Sequence, residues 1–223
     1  MRLAEVLGAL PYPGRGCAAV NTVDDGLVLA YFVTGRSEAS RARELVVAGS
    51  TVSVRATGVS AHDELRHYQA AALEGEWSVV GNGAHVPSVA AALAAGQGMA
   101  GALAPHECEP DGPIFTPRIC LAARGAGREG AVFGYVRRRA DGGMDRVAWQ
   151  MSRLSVGHAV VLTTYDGTLE QVRASRCPSE ATTQAAGAAE LLAELWGLLG
   201  EGVRVGACAL RPGSPAEALL INR

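Results

Sequence analysis

The hydrophobic pattern of the first third of the chain is that of paired strands. Residues 17–23 and 27–34 are β-branched, aliphatic and aromatic stretches separated by Asp24-Asp25-Gly26, an Asp-Gly turn signal, and they predict a hairpin whose second strand stops at Gly35. Residues 45–46 and 51–57 predict further strand, and 66–73 and 76–80 flank Gly75 as a second hairpin. The pairing this implies is antiparallel.

The period then changes. Residues 86–104 carry Ala, Val, Leu and Met at helical spacing after a start at Pro87-Ser88, which predicts a helix packed on a sheet face. Gly96, Gly98 and Gly101 oppose it, each costing about 1 kcal/mol relative to Ala. Strand patterns resume at 118–123, 131–138, 146–149 and 158–165, with hairpin loops at 125–130 and 140–143. Residues 180–199 give the strongest helical pattern, with Ala, Leu and Trp196 on one face. Strand blocks interrupted by two helices do not make the β-α-β alternation of a doubly wound fold, so the predicted class is α+β, antiparallel sheets covered by helices. No repeat and no Pro- or Ser-rich linker divides residues 1–223, and one domain is expected.

Composition narrows the chemistry. A hydrophobic fraction of 48% over 223 residues is ample for a buried core, and a net charge of −2 without a basic run leaves no electrostatic footprint for nucleic acid. All 20 basic residues are Arg. Codon bias in a GC-rich genome accounts for that, but whatever its cause it excludes a Schiff-base lysine and a G-x-x-x-x-G-K-[ST] phosphate loop. Five widely spaced cysteines (Cys17, Cys108, Cys120, Cys177, Cys208) with no C-x-x-C pair suggest neither a disulfide framework nor a zinc site. Residues 1–10 lack a basic start with a long apolar run, and no stretch of about 18 apolar residues occurs, so a soluble cytoplasmic protein is expected.

Three segments concentrate residues suited to a site. Pro11-Tyr12-Pro13-Gly14-Arg15-Gly16 is a stiff turn able to set Arg15 beside an anion, or simply a rigid loop before the first strand. Residues 31–43 carry Arg36, Arg41 and Arg43 with Ser37 and Ser40 after an apolar strand; guanidinium forks and hydroxyls suit a phosphorylated small molecule, and a solvated loop is the plainer alternative. In Glu109-Pro110-Asp111-Gly112-Pro113-Ile114-Phe115-Thr116-Pro117-Arg118-Ile119, two carboxylates and an Arg sit on a backbone stiffened by three prolines, as a preorganised site or an irregular structural loop would have them. His106 and Cys108 nearby form no metal spacing. His62, His67 and His85 read as surface or loop histidines, and Arg137-Arg138-Arg139 as a solvated strand end.

In this order the three segments resemble the archaeal-type stand-alone inosine monophosphate (IMP) cyclohydrolases, which also have bacterial relatives: Y-P-G-R-G, then Y-F-x-x-G-R-S-x-x-S-R-x-R, then E-P-D-x-P-x-x-T-P-R-I. Tyr68 at the end of a short strand, Gly81-Asn82-Gly83, Gly157-His158 and Thr164-Tyr165-Asp166-Gly167 extend the likeness over residues 11–167, leaving the tail uninformative. The resemblance implies a four-layer αββα fold similar to N-terminal-nucleophile hydrolases, without use of a terminal nucleophile. It implies a hydrolase-class enzyme of purine biosynthesis that closes the ring of a formylated aminoimidazole carboxamide ribotide with loss of water to give IMP, with no metal or organic cofactor. Matching positions imply Arg41, Tyr68 and Glu109 as catalytic: Arg41 and Tyr68 as donors to the developing oxyanion, Glu109 as proton shuttle. Arg15, Arg36 and Ser37 are then placed for phosphate or ribose, and Asn82, Thr116 and Arg118 for the base or the pocket's shape.

The sequence departs from the family where Leu10 replaces a common Asn, where residues 69–73 hold no Arg after Tyr68, and where Gly81 replaces a frequent Ser. Substrate choice is what these changes bear on. A related ring closure or dehydration of another formamido or carboxamide heterocycle in specialised metabolism, and a non-catalytic nucleotide-binding regulator, are the competing readings. Cys17 as an amidohydrolase nucleophile is disfavoured, since it is internal and has no nearby His to activate it. The state of assembly, a homo-oligomer among the options, is left open.

Overall fold

The computed structural model describes residues 1–58 and 63–223. Its first elements are α1 (Leu3–Gly8), β1 (Arg15–Thr22), β2 (Gly26–Thr34), the single turn α2 (Glu38–Arg41), β3 (Arg43–Ala48) and β4 (Thr51–Ala56). Then come β5 (Tyr68–Glu74), β6 (Trp77–Gly81), α3 (His85–Ala94), α4 (Met99–Leu103), β7 (Arg118–Arg124), β8 (Ala131–Arg138) and β9 (Met144–Met151). The last are β10 (His158–Thr163), β11 (Ser179–Thr182), α5 (Ala188–Leu198), β12 (Arg204–Leu210) and β13 (Leu219–Asn222).

Two antiparallel sheets result, one in the order β11-β10-β1-β2-β12-β13 and the other running β3 to β9 in chain order. They pack face to face through Leu29 and Tyr31 of the first against Leu121, Phe133 and Tyr135 of the second. Leu3 and Leu7 of α1 and Leu191 and Leu195 of α5 cover the outer face of the first sheet, meeting Val20, Val28 and Phe32. Val89 and Leu93 of α3 and Leu103 of α4 cover Val79, Ala122 and Val132 of the second. The layers are therefore helix, sheet, sheet, helix, an α+β arrangement as expected. Because each sheet is buried on both faces, its central strands read as unbroken apolar runs rather than alternations.

The first hairpin forms with Arg15 opposite Val33 and Thr22 opposite Gly26, and its β1 begins two residues earlier than the pattern predicts. Tyr68 opens β5 rather than ending a strand. The expected helix over 86–104 is two helices: α3 stops at Ala94, and Gly96 takes a left-handed conformation (φ 87°) that closes its C-terminus before α4 starts. The expected helix over 180–199 is shorter. Residues 179–182 pair with β10 instead, and α5 starts only after Gly187, where the Asp25 carboxylate from the β1–β2 turn accepts the Ala188 amide at 2.8 Å. Residues 200–223, for which the sequence predicts no element, supply β12, which lies against β2 within the first sheet.

Antiparallel pairing brings functional loops to one end of the sandwich. β1 begins there, β2 and β10 end there, and the register sets Gly16 beside both Phe32 and Thr163. In the second sheet β6 ends and β7 begins at the same end, Gly81 lying opposite Cys120. Gly81 has no space for a side chain, serine included: a Cβ there would meet the Ile119 carbonyl oxygen at 2.5 Å.

Candidate functional site

Arg15 and Glu109 form a buried ion pair between the two sheets, Arg15 being 7% and Glu109 2% exposed. Arg15 reaches this position because the turn before β1 is pinned. The Thr34 amide and hydroxyl both bond the Gly14 carbonyl at 2.7 Å, the Arg15 amide bonds the Thr164 hydroxyl at 3.0 Å, and Tyr12 stacks on Tyr165 with ring centroids 5.6 Å apart. Gly14 is required there. Its φ is 69°, and a Cβ would strike both the Thr164 hydroxyl and the Tyr165 ring. Burial works against the Arg15 charge, but the adjacent Glu109 carboxylate more than offsets it and holds the guanidinium pKa well above its usual range.

Glu109 is held on its other side by Asn82, whose amide donates at 3.0 Å to Glu109 Oε1 and at 3.0 Å to the Pro117 carbonyl, while its oxygen accepts the Ile119 amide at 2.6 Å. Asn82 is thus occupied by protein groups and positions the carboxylate. Backbone pairing of Glu109 N with Thr116 O at 2.8 Å closes the proline-rich loop. Within that loop Asp111 accepts the Thr116 amide at 2.6 Å and also the Thr116 hydroxyl, which in turn contacts the Tyr165 hydroxyl. Burial pushes the Tyr165 phenol up to about 12.

The pair faces a cavity of about 440 Å³. Arg15, Glu109, Thr116, Arg36 and Ser37, all expected from the sequence, line it together with Tyr12, Ser40, Arg43, Asp63, Arg66, Asp111 and Tyr165. Arg43 and Tyr12 stood in the motifs without an assigned role; nothing in the sequence marked Asp63 or Arg66. Arg43 is buried and fixed by the Ser40 carbonyl at 2.7 Å and the Thr34 carbonyl at 3.2 Å. Ser37 caps α2, accepting the Ser40 amide at 3.2 Å.

Arg41, Tyr68, Asn82 and Arg118 do not line this cavity. Arg41 ends α2 with its guanidinium bonded back to the Arg36 carbonyl at 3.0 Å. Tyr68 lies behind the pair, its hydroxyl 2.7 Å from that of Tyr31 and close enough to act on the Arg15 charge. Arg118 lies on the far side of Glu109, in a smaller cavity of about 190 Å³ that also contacts Asp63, Ala84 and Pro110. Its guanidinium occupies the space over Gly83, whose Cβ would lie 2.5 Å from Arg118 Nη1.

His85 corrects the sequence reading of a surface histidine. It is 2% exposed at the start of α3, and neither ring nitrogen has a hydrogen-bond partner among the described residues; the Ile119 backbone lies beside the ring outside bonding geometry. His67 is half-buried, and His62 lies outside the described residues. Burial, reinforced by the charge of Arg118, holds His85 well below its usual pKa and therefore neutral. Below about pH 6.5 the unfolded chain takes up a proton that the folded chain refuses, so stability falls with acidity by up to about 1.4 kcal/mol per pH unit from this group. Denaturant midpoints at pH 7.5 and 5.5 are expected to converge in His85→Leu; an unchanged pH difference would mean that His85 protonates in the folded state.

Cys17 is fully buried in the sheet core, and burial raises its thiol pKa well above the usual value, which suits packing rather than nucleophilic attack. Among the described residues no group of three His, Cys, Asp or Glu side chains is placed to hold a metal ion, and no helix is long and apolar enough to cross a membrane.

A comparison with curated proteins found no match. A family model described as IMP cyclohydrolase-like protein matches residues 12–211, reaching beyond the motifs through α5 and β12. With that match spanning nearly the whole chain and all three motif segments, the protein belongs to the IMP cyclohydrolase-like family.

Proposed function

We propose that this protein closes the six-membered ring of formylated aminoimidazole carboxamide ribotide to give IMP and water. The observation that carries the reading is a buried carboxylate, Glu109, paired with Arg15 at the wall of a cavity that also presents Arg36, Ser37, Arg43 and Arg66. The arginines and hydroxyls suit a phosphate by charge-assisted, forked hydrogen bonds. The stacked Tyr12 and Tyr165 supply an aromatic wall for the heterocycle.

The carboxamide nitrogen attacks the formyl carbon, forming the new carbon–nitrogen bond while negative charge gathers on the formyl oxygen. Arg15 stabilises that oxygen, and Tyr68, behind the pair and hydrogen-bonded to Tyr31, acts on the Arg15 charge rather than on the substrate. Glu109 moves one carboxamide proton to the oxygen. The carbon–oxygen bond then breaks, the formamide nitrogen loses its proton through the same carboxylate, and water departs. Arg41 in this scheme braces the phosphate loop through the Arg36 carbonyl, and the oxyanion role passes to Arg15. Because the attack is intramolecular, orientation and charge stabilisation are what the protein adds.

The test is to mix purified protein with the formylated ribotide and follow the hypoxanthine absorption. Acceleration that is lost with the corresponding non-phosphorylated nucleoside is expected, and a rate equal to that in buffer overturns the reading.

A further inference from the structure

The hydrogen-bond chain Asp111–Thr116–Tyr165 has only one direction consistent with its chemistry. All three side chains line the large cavity. As a carboxylate Asp111 accepts only, so the Thr116 hydroxyl donates its single proton to Asp111 Oδ2. The Thr116 oxygen contacts the Tyr165 hydroxyl as well, and with its own proton committed it accepts from Tyr165. The Tyr165 proton is thereby turned away from the cavity, leaving the phenolic oxygen with lone pairs and no donor to offer. Asp111 cannot rotate out of this arrangement freely, because its other oxygen accepts the Thr116 amide at 2.6 Å.

We infer that Tyr165 is a substrate-orienting residue whose oxygen accepts a hydrogen bond from the carboxamide nitrogen of the substrate, and that Thr116 and Asp111 set its polarity. The inference rests on the ring-closure reading. The carboxamide nitrogen carries two hydrogens: one leaves through Glu109 during attack, and the other stays on the ring nitrogen of the product. Tyr165 accepts the hydrogen that stays, so it is engaged in substrate and product alike and transfers no proton. Its ring is fixed by the stack on Tyr12, and Gly14 lets the backbone lie against it. An acceptor held there presents the nitrogen lone pair toward the formyl carbon, the kind of alignment on which intramolecular attack depends.

The same polarity gives the site a preference that binding alone reports. A ligand bearing an N–H at that point gains a hydrogen bond, whereas one bearing only acceptor oxygens confronts the Tyr165 lone pairs. Unformylated aminoimidazole carboxamide ribotide and the analogue with a methyl carboxylate in place of its carboxamide form such a matched pair, equal in charge and both unable to cyclise.

Calorimetric titration of both ligands, with steady-state turnover of the formylated ribotide, tests the inference. The wild-type protein is expected to bind the carboxamide about tenfold more tightly than the ester, the value of one hydrogen bond of about 1.4 kcal/mol. Tyr165→Phe keeps the stacked ring and is expected to bring that ratio near one, to raise KM about tenfold through loss of the same ground-state hydrogen bond, and to lower kcat about 10- to 100-fold through loss of alignment. Thr116→Val frees the Tyr165 proton to point into the cavity and is expected to abolish or invert the ratio, and Thr116→Ser to recover most of what Thr116→Val loses. A ratio that none of these variants moves, or a Tyr165→Phe enzyme with unaltered kcat, overturns the inference while leaving ring closure intact. A wild-type protein that shows the preference but forms no IMP overturns ring closure and keeps the polarity of Tyr165. Failure to bind either ligand overturns the inference, and joined to a buffer-level rate of IMP formation it overturns both.

Discussion

Replacing Glu109 by Gln is expected to lower kcat for ring closure by about 10²- to 10⁴-fold, the range that a positioned proton-transfer group contributes. Gln is nearly isosteric, and its carbonyl oxygen still accepts from Asn82, so the loop between α4 and β7 keeps its shape. What changes is the group opposite Arg15: an amide nitrogen donates and cannot answer the guanidinium's donors, nor can it take a proton from the carboxamide. In the proposed reading the phosphate is held by Arg36, Ser37, Arg43 and Arg66, which line the cavity from other segments, so KM is expected to change little beside kcat. Steady-state kinetics well below the variant's melting temperature separates this loss from instability. An unchanged turnover number removes Glu109 from the mechanism.

Residues close in sequence announced themselves, and pairings across the sandwich did not. The Asp-Gly turn between β1 and β2 carries its own conformational signal, as does the glycine that splits α3 from α4, once its φ above zero is allowed for. The Arg15 to Glu109 contact joins residues 94 positions apart and depends on two sheets stacking, so motif likeness marked both residues without indicating that they touch. The arginine cluster shows the same limit at short range. Arg41 closes a one-turn helix and bonds its own loop, whereas Arg43, two residues on, opens β3 and is drawn inward to the Thr34 carbonyl. Both are arginines in one motif, and only the change from helix to strand between them decides which lines the cavity. His85 was misread for a related reason: a histidine before Pro87 resembles a loop residue until α3 docks on the second sheet and buries it. The tail was silent because β12, Arg-Val-Gly-Ala-Cys-Ala-Leu, is made of small residues buried on both faces and shows no alternation.

Arg15→Met and Glu109→Leu, each alone, are expected to destabilise the fold by about 3–5 kcal/mol, whereas the double variant recovers most or all of that loss. Each single change strands a buried charge; the double change removes both and substitutes side chains able to pack against Tyr12, Tyr68 and Tyr165. Arg15 adds a cost of its own, since its Nε is buried without a hydrogen-bond partner among the described residues. Urea midpoints of the four proteins, closed as a double-mutant cycle, give the coupling directly. Recovery of stability together with complete loss of ring closure would mean that the pair is retained for its chemistry, because an apolar substitute serves the fold equally well. A double variant as unstable as either single one would instead make the pair a structural tie between the two sheets, and the case for Glu109 as the proton carrier would then rest on the Gln variant alone.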